Sequence, residues 1–283
     1  MLAPGPFRAE HLRSGDPYEL SNGHAIFTPP TGARGGRANL VGGEVLDTDP
    51  KVDSAGIDVG ISRAPGELRA PDLSVGNVPD EPGWSSTAPP LAVEYADVGQ
   101  DEVGLQEKIA ELLAAGTRYI WVVRLTGKRK VEVYERNKRV RVVTSGDLLA
   151  PGILANPVPL AALYDRDAAH EATLRNLLNR KGFRDLDDVH DRGREEGREE
   201  GREEGREEGR EEGREEGREE GREEGRLLAL RASLRAVLTA RGLHATKSQL
   251  TRIDEEDDPA SLSRWLITAA TANSVSNIFT TKK

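Results

Sequence analysis

The 32 residues from Arg194 to Gly225 are the tetrapeptide Arg-Glu-Glu-Gly written eight times, and none of them is apolar. A segment with nothing to bury cannot join a hydrophobic core. It therefore divides the 283-residue chain into a long part before it and a short part after it. Its period of four overshoots the helical 3.6, so each repeat turns the glycine stripe by about 40° and no coiled-coil seam forms. Glu195 and Arg198 support a helix as i,i+3 partners, but every i,i+4 pair joins like with like. Each Gly costs about 1 kcal/mol against Ala. The block is expected to be a solvated, fraying helix or a partly disordered spacer, about 48 Å long if helical.

The block also dominates the charge. The whole chain has 40 basic and 49 acidic residues, a net of −9; without the block it has 32 and 33, a net of −1. The acidity does not argue against a polyanionic partner for the rest. The chain has no cysteine, which excludes a disulfide scaffold, a thiol nucleophile, a zinc finger and an iron–sulfur cluster. No apolar run approaches the ~20 residues that span a bilayer, and the opening residues lack the apolar core of a secretory signal. A soluble cytoplasmic protein without a membrane partner is expected.

Hydrophobic periodicity organises the rest. Pro17 to Phe27 reads as a hairpin turning at Asn22-Gly23. From Pro29 to Gly66 no period emerges, and a loop-rich stretch is expected. Leu91 to Tyr95 is an apolar strand carrying one carboxylate. Asp101 to Ala115 places Leu105, Ile109, Leu112 and Leu113 on one helix face that ends at Gly116. Tyr119 to Leu125 is a β-branched central strand, and Lys130 to Val143 is a hairpin across Arg136-Asn137-Lys138. These give a mixed α/β core. Arg166 to Arg180 is expected to be amphipathic through Leu174, Leu177 and Leu178. After the repeat, Leu227, Leu230, Leu234, Val237 and Leu238 form an apolar helix face, followed by helices from Ser248 and from Ser261.

With five His and no Cys, metal chemistry would rest on carboxylates, pointing to a hard ion such as Mg²⁺. Asp72 follows Pro71, and Glu94 sits inside an otherwise apolar strand. An ionised carboxylate on a buried strand is costly unless compensated, and two on adjacent strands repel, so a divalent ion relieves both problems. Both residues also fit ordinary strand-end carboxylates. Lys108, beside Ile109 on the helix, could reach back to the sheet or simply be a solvated lysine between Glu107 and Glu111.

Pro71-Asp72, Glu94 twenty-two residues later, the helix carrying Lys108 and the strand YIWVV together resemble the PD-(D/E)XK nuclease superfamily. Within it, the hairpin PYELSNGHAIF and the loop LLAPGILANPVPLAALYD are similar to the Uma-two family of putative restriction endonucleases, over most of residues 17 to 165. The resemblance implies a restriction-endonuclease-like mixed sheet with flanking helices. It implies Asp72 and Glu94 as ligands of Mg²⁺ (or Mn²⁺), Lys108 as the catalytic lysine, and Glu19 and Gln100 as outer members. The superfamily pattern has Lys two residues after the Glu, where this chain has Ala96. That departure keeps open a degenerate protein that binds nucleic acid or a partner without cutting, beside the leading expectation of a Mg²⁺-dependent DNA endonuclease.

A DNA partner asks for a basic surface. Between Arg124 and Arg141 stand eight basic residues against Glu132 and Glu135. Of these, Lys128, Arg129, Lys130, Lys138 and Arg139 are the expected phosphate contacts; a charged edge hairpin that resists aggregation is the other reading. The tail from Leu262 to Ala272 resembles the C-terminal helical segment of transposase-associated nucleases. Its single apolar face, in fewer than 60 residues, predicts a homo-oligomer joined through these helices. The expected division is a nuclease-like domain over 1–165, a connecting helix over 166–192, the spacer over 193–225 and an association module over 226–283.

Overall fold

A computed structural model of the chain describes residues 5–279. It falls into two compact units, Met1–Arg192 and Gly193–Lys283. The first is built on a six-stranded sheet of β3 (Ala55–Ile57), β4 (Leu73–Val75), β5 (Leu91–Ala96), β6 (Tyr119–Arg124), β7 (Lys130–Glu135) and β8 (Arg141–Val143), in that spatial order. Only β5 and β6 run parallel. The link between them is α2 (Glu102–Ala115), started by Asp101, whose carboxylate accepts from the Val103 and Gly104 amides, and stopped by Gly116 at φ 117°. A parallel pair needs such a crossover and lies buried on both faces, which is why β5 and β6 read as continuous apolar runs.

Side chains alternate across the sheet. Leu91, Val93 and Tyr95 join the large core with Trp121, Val123 and helix residues Ala38, Val45 and Leu46. Ala92 and Ala96 pack on the opposite side with Ile120, Val122 and the α2 residues Leu105, Ile109 and Leu112. Glu94 lies between those two alanines, on the α2 side.

Residues 29–66 are not the expected loop: they contain α1, Ala33–Asp47. Glycine hides it from a propensity reading. Gly42 lies so close to β5 that a Cβ there would stand 2.0 Å from the Tyr95 hydroxyl. The glycines that weaken the local helix signal are what allow the helix to approach the sheet. The next helix follows the same logic. In α3 (Arg166–Arg180), Leu174 and Leu177 are 45% and 46% exposed, and the buried face is Ala169, Ala172, Thr173 and Asn176. The expected leucine face is therefore wrong. Small residues face α1, and Asn176 donates to the Val45 carbonyl at 2.9 Å.

Ahead of the sheet, β1 (Tyr18–Ser21) and β2 (His24–Phe27) form the expected hairpin, with Asn22 at φ 48° and Gly23 at φ 79°. Leu20 and Leu68 exchange backbone hydrogen bonds, which ties β1 to the segment leading into β4. A short pair, β9 (Asp147–Leu148) and β10 (Val158–Pro159), precedes α3.

The repeat is helical throughout, inside α4 (Leu186–Ala240), and its residues are exposed. In the second unit, Leu234 and Leu238 of α4 bury against Ile253 of α5 (Lys247–Asp254) and Leu262, Trp265 and Ala269 of α6 (Pro259–Ala269). The apolar face expected to pair with a second copy is thus covered within its own unit, which removes the reason given for the association. Among the described residues no helix is long and apolar enough to cross a membrane.

Candidate active site

Antiparallel register sets the centre of the site. Leu73 of β4 faces Val93 of β5, which puts Asp72, one residue ahead of β4, across from Glu94. Asp72 Oδ2 accepts the Tyr95 amide at 2.6 Å, and the Asn39 side chain of α1 also bonds its carboxylate. Lys108 reaches the same place from α2. Its Nζ stands 2.9 Å from Glu94 Oε1 and 3.1 Å from Glu19 Oε1, and donates to Glu94 Oε2 at 3.2 Å and to the Ala70 carbonyl at 2.7 Å. The structure thus brings together Glu19 of β1, Asp72 from just ahead of β4, Glu94 of β5 and Lys108 of α2.

Charges alternate outward from there. Glu19 Oε2 accepts from Arg69 Nη1 at 3.1 Å, Arg69 Nε donates to Glu111 Oε2 at 2.5 Å, and Ser21 holds the other Glu111 oxygen at 2.5 Å. Burying ions is costly unless each finds a partner, and this chain of contacts supplies one at every step.

Burial pushes the Glu94 carboxyl up to about 8, against the attraction of Lys108 and with help from the Asp72 charge. Asp72 is raised by burial as well, opposed by Lys108 and by its hydrogen bonds from Tyr95 and Asn39. Burial disfavours the Lys108 ammonium, yet Glu94, Glu19 and Asp72 outweigh it and hold the lysine charged well above its ordinary range. The cluster therefore carries a firmly protonated lysine beside two carboxyls, Asp72 and Glu94, that ionise reluctantly.

Carboxylate oxygens are hard donors, and buried Glu94 Oε1 has the Lys108 ammonium 2.9 Å away but accepts no well-directed hydrogen bond. Among the described residues no group of three or more His, Cys, Asp or Glu is arranged to hold a metal ion. A pair of carboxylates nevertheless suits Mg²⁺, which keeps several waters and takes one or two protein carboxylates plus substrate phosphate.

Two residues of the cluster escaped the sequence reading. Arg69 joins through Glu19 and Glu111, contacts between distant segments that its local sequence does not signal. Asp58 follows β3 at φ 52° and lines the cleft with Glu19, Asp72 and Lys108. Its carboxyl is raised by partial burial and then by the Asp72 charge. An aspartate in a turn gives no such signal in sequence. Gln100 does not join the cluster; it is exposed and donates to the Asp101 carbonyl ahead of α2.

The basic stripe is divided by the sheet. Arg124 pairs with Lys130 across β6 and β7, so the turn holding Lys128 and Arg129 lies at the same end as Asp72 and Glu94. Tyr119 pairs with Glu135, so Lys138 and Arg139 lie beyond the opposite end, about 20 Å away along the strands. Much of the stripe is also neutralised at home. Arg124 binds Glu102 and Glu132, Lys130 binds Glu132, and Lys138 binds Glu135. Arg129 lies over the Tyr164 ring at 4.9 Å.

The family model described as "Uma2: Putative restriction endonuclease" matches residues 7–157, more than half of the chain. The chain belongs to the Uma2 family. Its fold is similar to that of a putative nuclease belonging to DUF820 from Anabaena variabilis ATCC 29413, known from a crystal structure. That match has a TM-score of 0.50 and 17% identity, and covers 58% of this chain and 99% of the other. No curated protein matches the chain. In this Uma2-family chain, Ala96 is a packed residue, 2% exposed, on the face covered by α2. A lysine there would have to displace that packing, and the ammonium beside Glu94 comes from α2 instead.

Proposed function

We propose that the chain is a metal-dependent DNA endonuclease that hydrolyses phosphodiester bonds, using Mg²⁺ (or Mn²⁺). The observation that carries this reading is the convergence of Asp72, Glu94 and Lys108, with Lys108 Nζ within 3.2 Å of both Glu94 oxygens. Asp72 and Glu94 would hold the ion with hard oxygen donors. When bound, the ion polarises the scissile phosphate and lowers the pKa of the attacking water. Glu94 must release its proton to serve as a ligand, so metal binding strengthens as pH rises toward about 8. Lys108 keeps its charge in the cleft and donates to the oxygen on which negative charge develops. Glu19 holds Lys108 from the far side, and Arg69 holds Glu19.

Lys128, Arg129 and Lys130, at the site's end of the sheet, are the proposed contacts to nearby phosphates. Lys138 and Arg139 are proposed to reach only DNA that extends past the opposite end. Ala96 favours the second reading, a family member that binds DNA without cutting. Nicking of supercoiled plasmid by the full chain, with Mg²⁺ and then with chelator, separates the two. The endonuclease reading expects metal-dependent nicks that Asp72→Asn and Lys108→Met each reduce at least 100-fold, an order of magnitude typical of losing one electrostatic catalytic group. Nicking that survives Asp72→Asn overturns the site; DNA binding without nicks under either ion gives the second reading.

A further inference from the structure

The cleft that opens onto Asp58, Asp72 and Lys108 has a volume of about 410 Å³ and is also lined by Tyr18, Pro29, Pro30 and Trp84. Hydrolysis as described above uses none of these four. Trp84 is half-buried and held at two points. Its Nε1 donates to the Ala9 carbonyl at 3.1 Å, and its six-membered ring lies on Gly60, where a Cβ would stand 2.4 Å from the ring carbon Cε3. Tyr18 is also half-buried. It meets Phe27 edge-on with ring centroids 5.9 Å apart, and Phe27 is itself 60% exposed.

Part of Trp84 is accounted for by packing, since it leans on the small core of Ala9, Leu20 and Leu68. That core does not include Tyr18, and it does not explain why a fixed indole lines a cleft beside buried carboxylates and an ammonium. Fixed aromatic surface next to charged groups matches the two halves of a nucleotide. The uncharged base can stack on a ring of any orientation without sequence readout, and the phosphodiester lies against the charged groups. Within a duplex the face of a base is already stacked on its neighbours, so only an unpaired base can use such a surface.

Building on the nuclease reading, we propose that Tyr18 and Trp84 form a base-stacking subsite beside the charged cluster. The preferred substrate accordingly presents an unpaired nucleotide there, as single-stranded DNA or the single-stranded arm of a branched duplex.

Intrinsic fluorescence tests this on the full chain. Of the three tryptophans, Trp121 is 0% and Trp265 8% exposed, so stacking quenches Trp84 selectively. In a Glu94→Gln background, which prevents turnover, a single-stranded oligothymidine should quench the emission to saturation, and a blunt duplex of equal length should quench it far less. Trp84→Phe should remove the signal, and Tyr18→Leu should weaken oligothymidine binding by about tenfold, the loss of one stacking ring. Both variants should keep the parent's far-ultraviolet circular dichroism. Equal quenching by the two DNAs, absence of quenching by bound oligothymidine, or parental affinity in Tyr18→Leu overturns the subsite. A parent that nicks DNA while Trp84 stays silent leaves the nuclease reading standing alone. An oligothymidine that stacks on a parent unable to cut under any divalent ion leaves the subsite standing without it.

Discussion

Replacing Glu94 by Gln removes one ionisable group from the deepest part of the cluster while keeping its shape. Burial raises that carboxyl from 4.5 to about 8 in the folded protein, with Lys108 opposing and Asp72 reinforcing. In the unfolded chain it titrates near its ordinary value. Between about pH 4.5 and 8, the folded state therefore holds a proton that the unfolded state has released. Stability falls as pH rises through that window, by about 1.4 kcal/mol per pH unit. The window is roughly 3.5 pH units wide, which caps the effect at about 5 kcal/mol. Relaxation and water penetration around an ionised Glu94 lower the burial penalty, which leaves about 2–3 kcal/mol. The Gln variant lacks this slope. Asp72 and Asp58 are raised in the same direction, but they are present in both proteins and cancel in the difference. The melting temperature of Glu94→Gln minus that of the parent should climb by about 5–10 °C from about pH 5 to pH 8 in chelator. Thermal unfolding by circular dichroism at several pH values measures it. Parallel curves for the two proteins would refute the buried, reluctantly ionised Glu94.

Other perturbations probe separate parts of the account. Replacing Lys128, Arg129 and Lys130 together by Gln should lower the log–log salt slope of duplex binding by up to about 2.7. The same change at Lys138 and Arg139 should leave the slope for a short duplex nearly unchanged, since they lie at the far end of the sheet; fluorescence anisotropy at several salt concentrations compares the two. Gly42→Ala pushes a methyl into the Tyr95 hydroxyl and should cost about 1–3 kcal/mol, read from denaturant melts. Trp265→Ala should unfold the second unit at a cost of about 3–5 kcal/mol. Truncation after Gly225 should leave the number of chains per particle by light scattering unchanged, because the tail's apolar face is already covered.

The fold was legible where burial imposes a simple period. β5, α2 and β6 announce themselves because a parallel pair buried on both faces must be apolar throughout and must be joined by a helix. The helices α1 and α3 were misread for one shared reason. They meet each other and the sheet through Gly42, Ala169, Ala172 and Asn176, and close packing through small or polar residues leaves no apolar stripe. Glu94 could be picked out because a carboxylate in an apolar strand conflicts with its surroundings, whereas Asp72 and Lys108 were singled out chiefly through the family resemblance. Arg69 and Asp58 could not be singled out as easily, since each becomes part of the cluster only through contacts between distant segments. The division of the basic stripe needed the register of β6 with β7, which composition does not carry. The tail's apolar face was correctly read, and α5 and α6 cover it within the same unit.

The central claim is that Asp72 and Glu94 form a divalent-metal site. Calorimetric titration of Mn²⁺ into the full chain at about pH 8 tests it without requiring turnover. The account predicts uptake of about one ion per chain, released protons when the titration is repeated at lower pH, and loss of that uptake in Asp72→Asn. A parent that takes up no Mn²⁺, or an Asp72→Asn chain that takes it up as the parent does, would contradict the account.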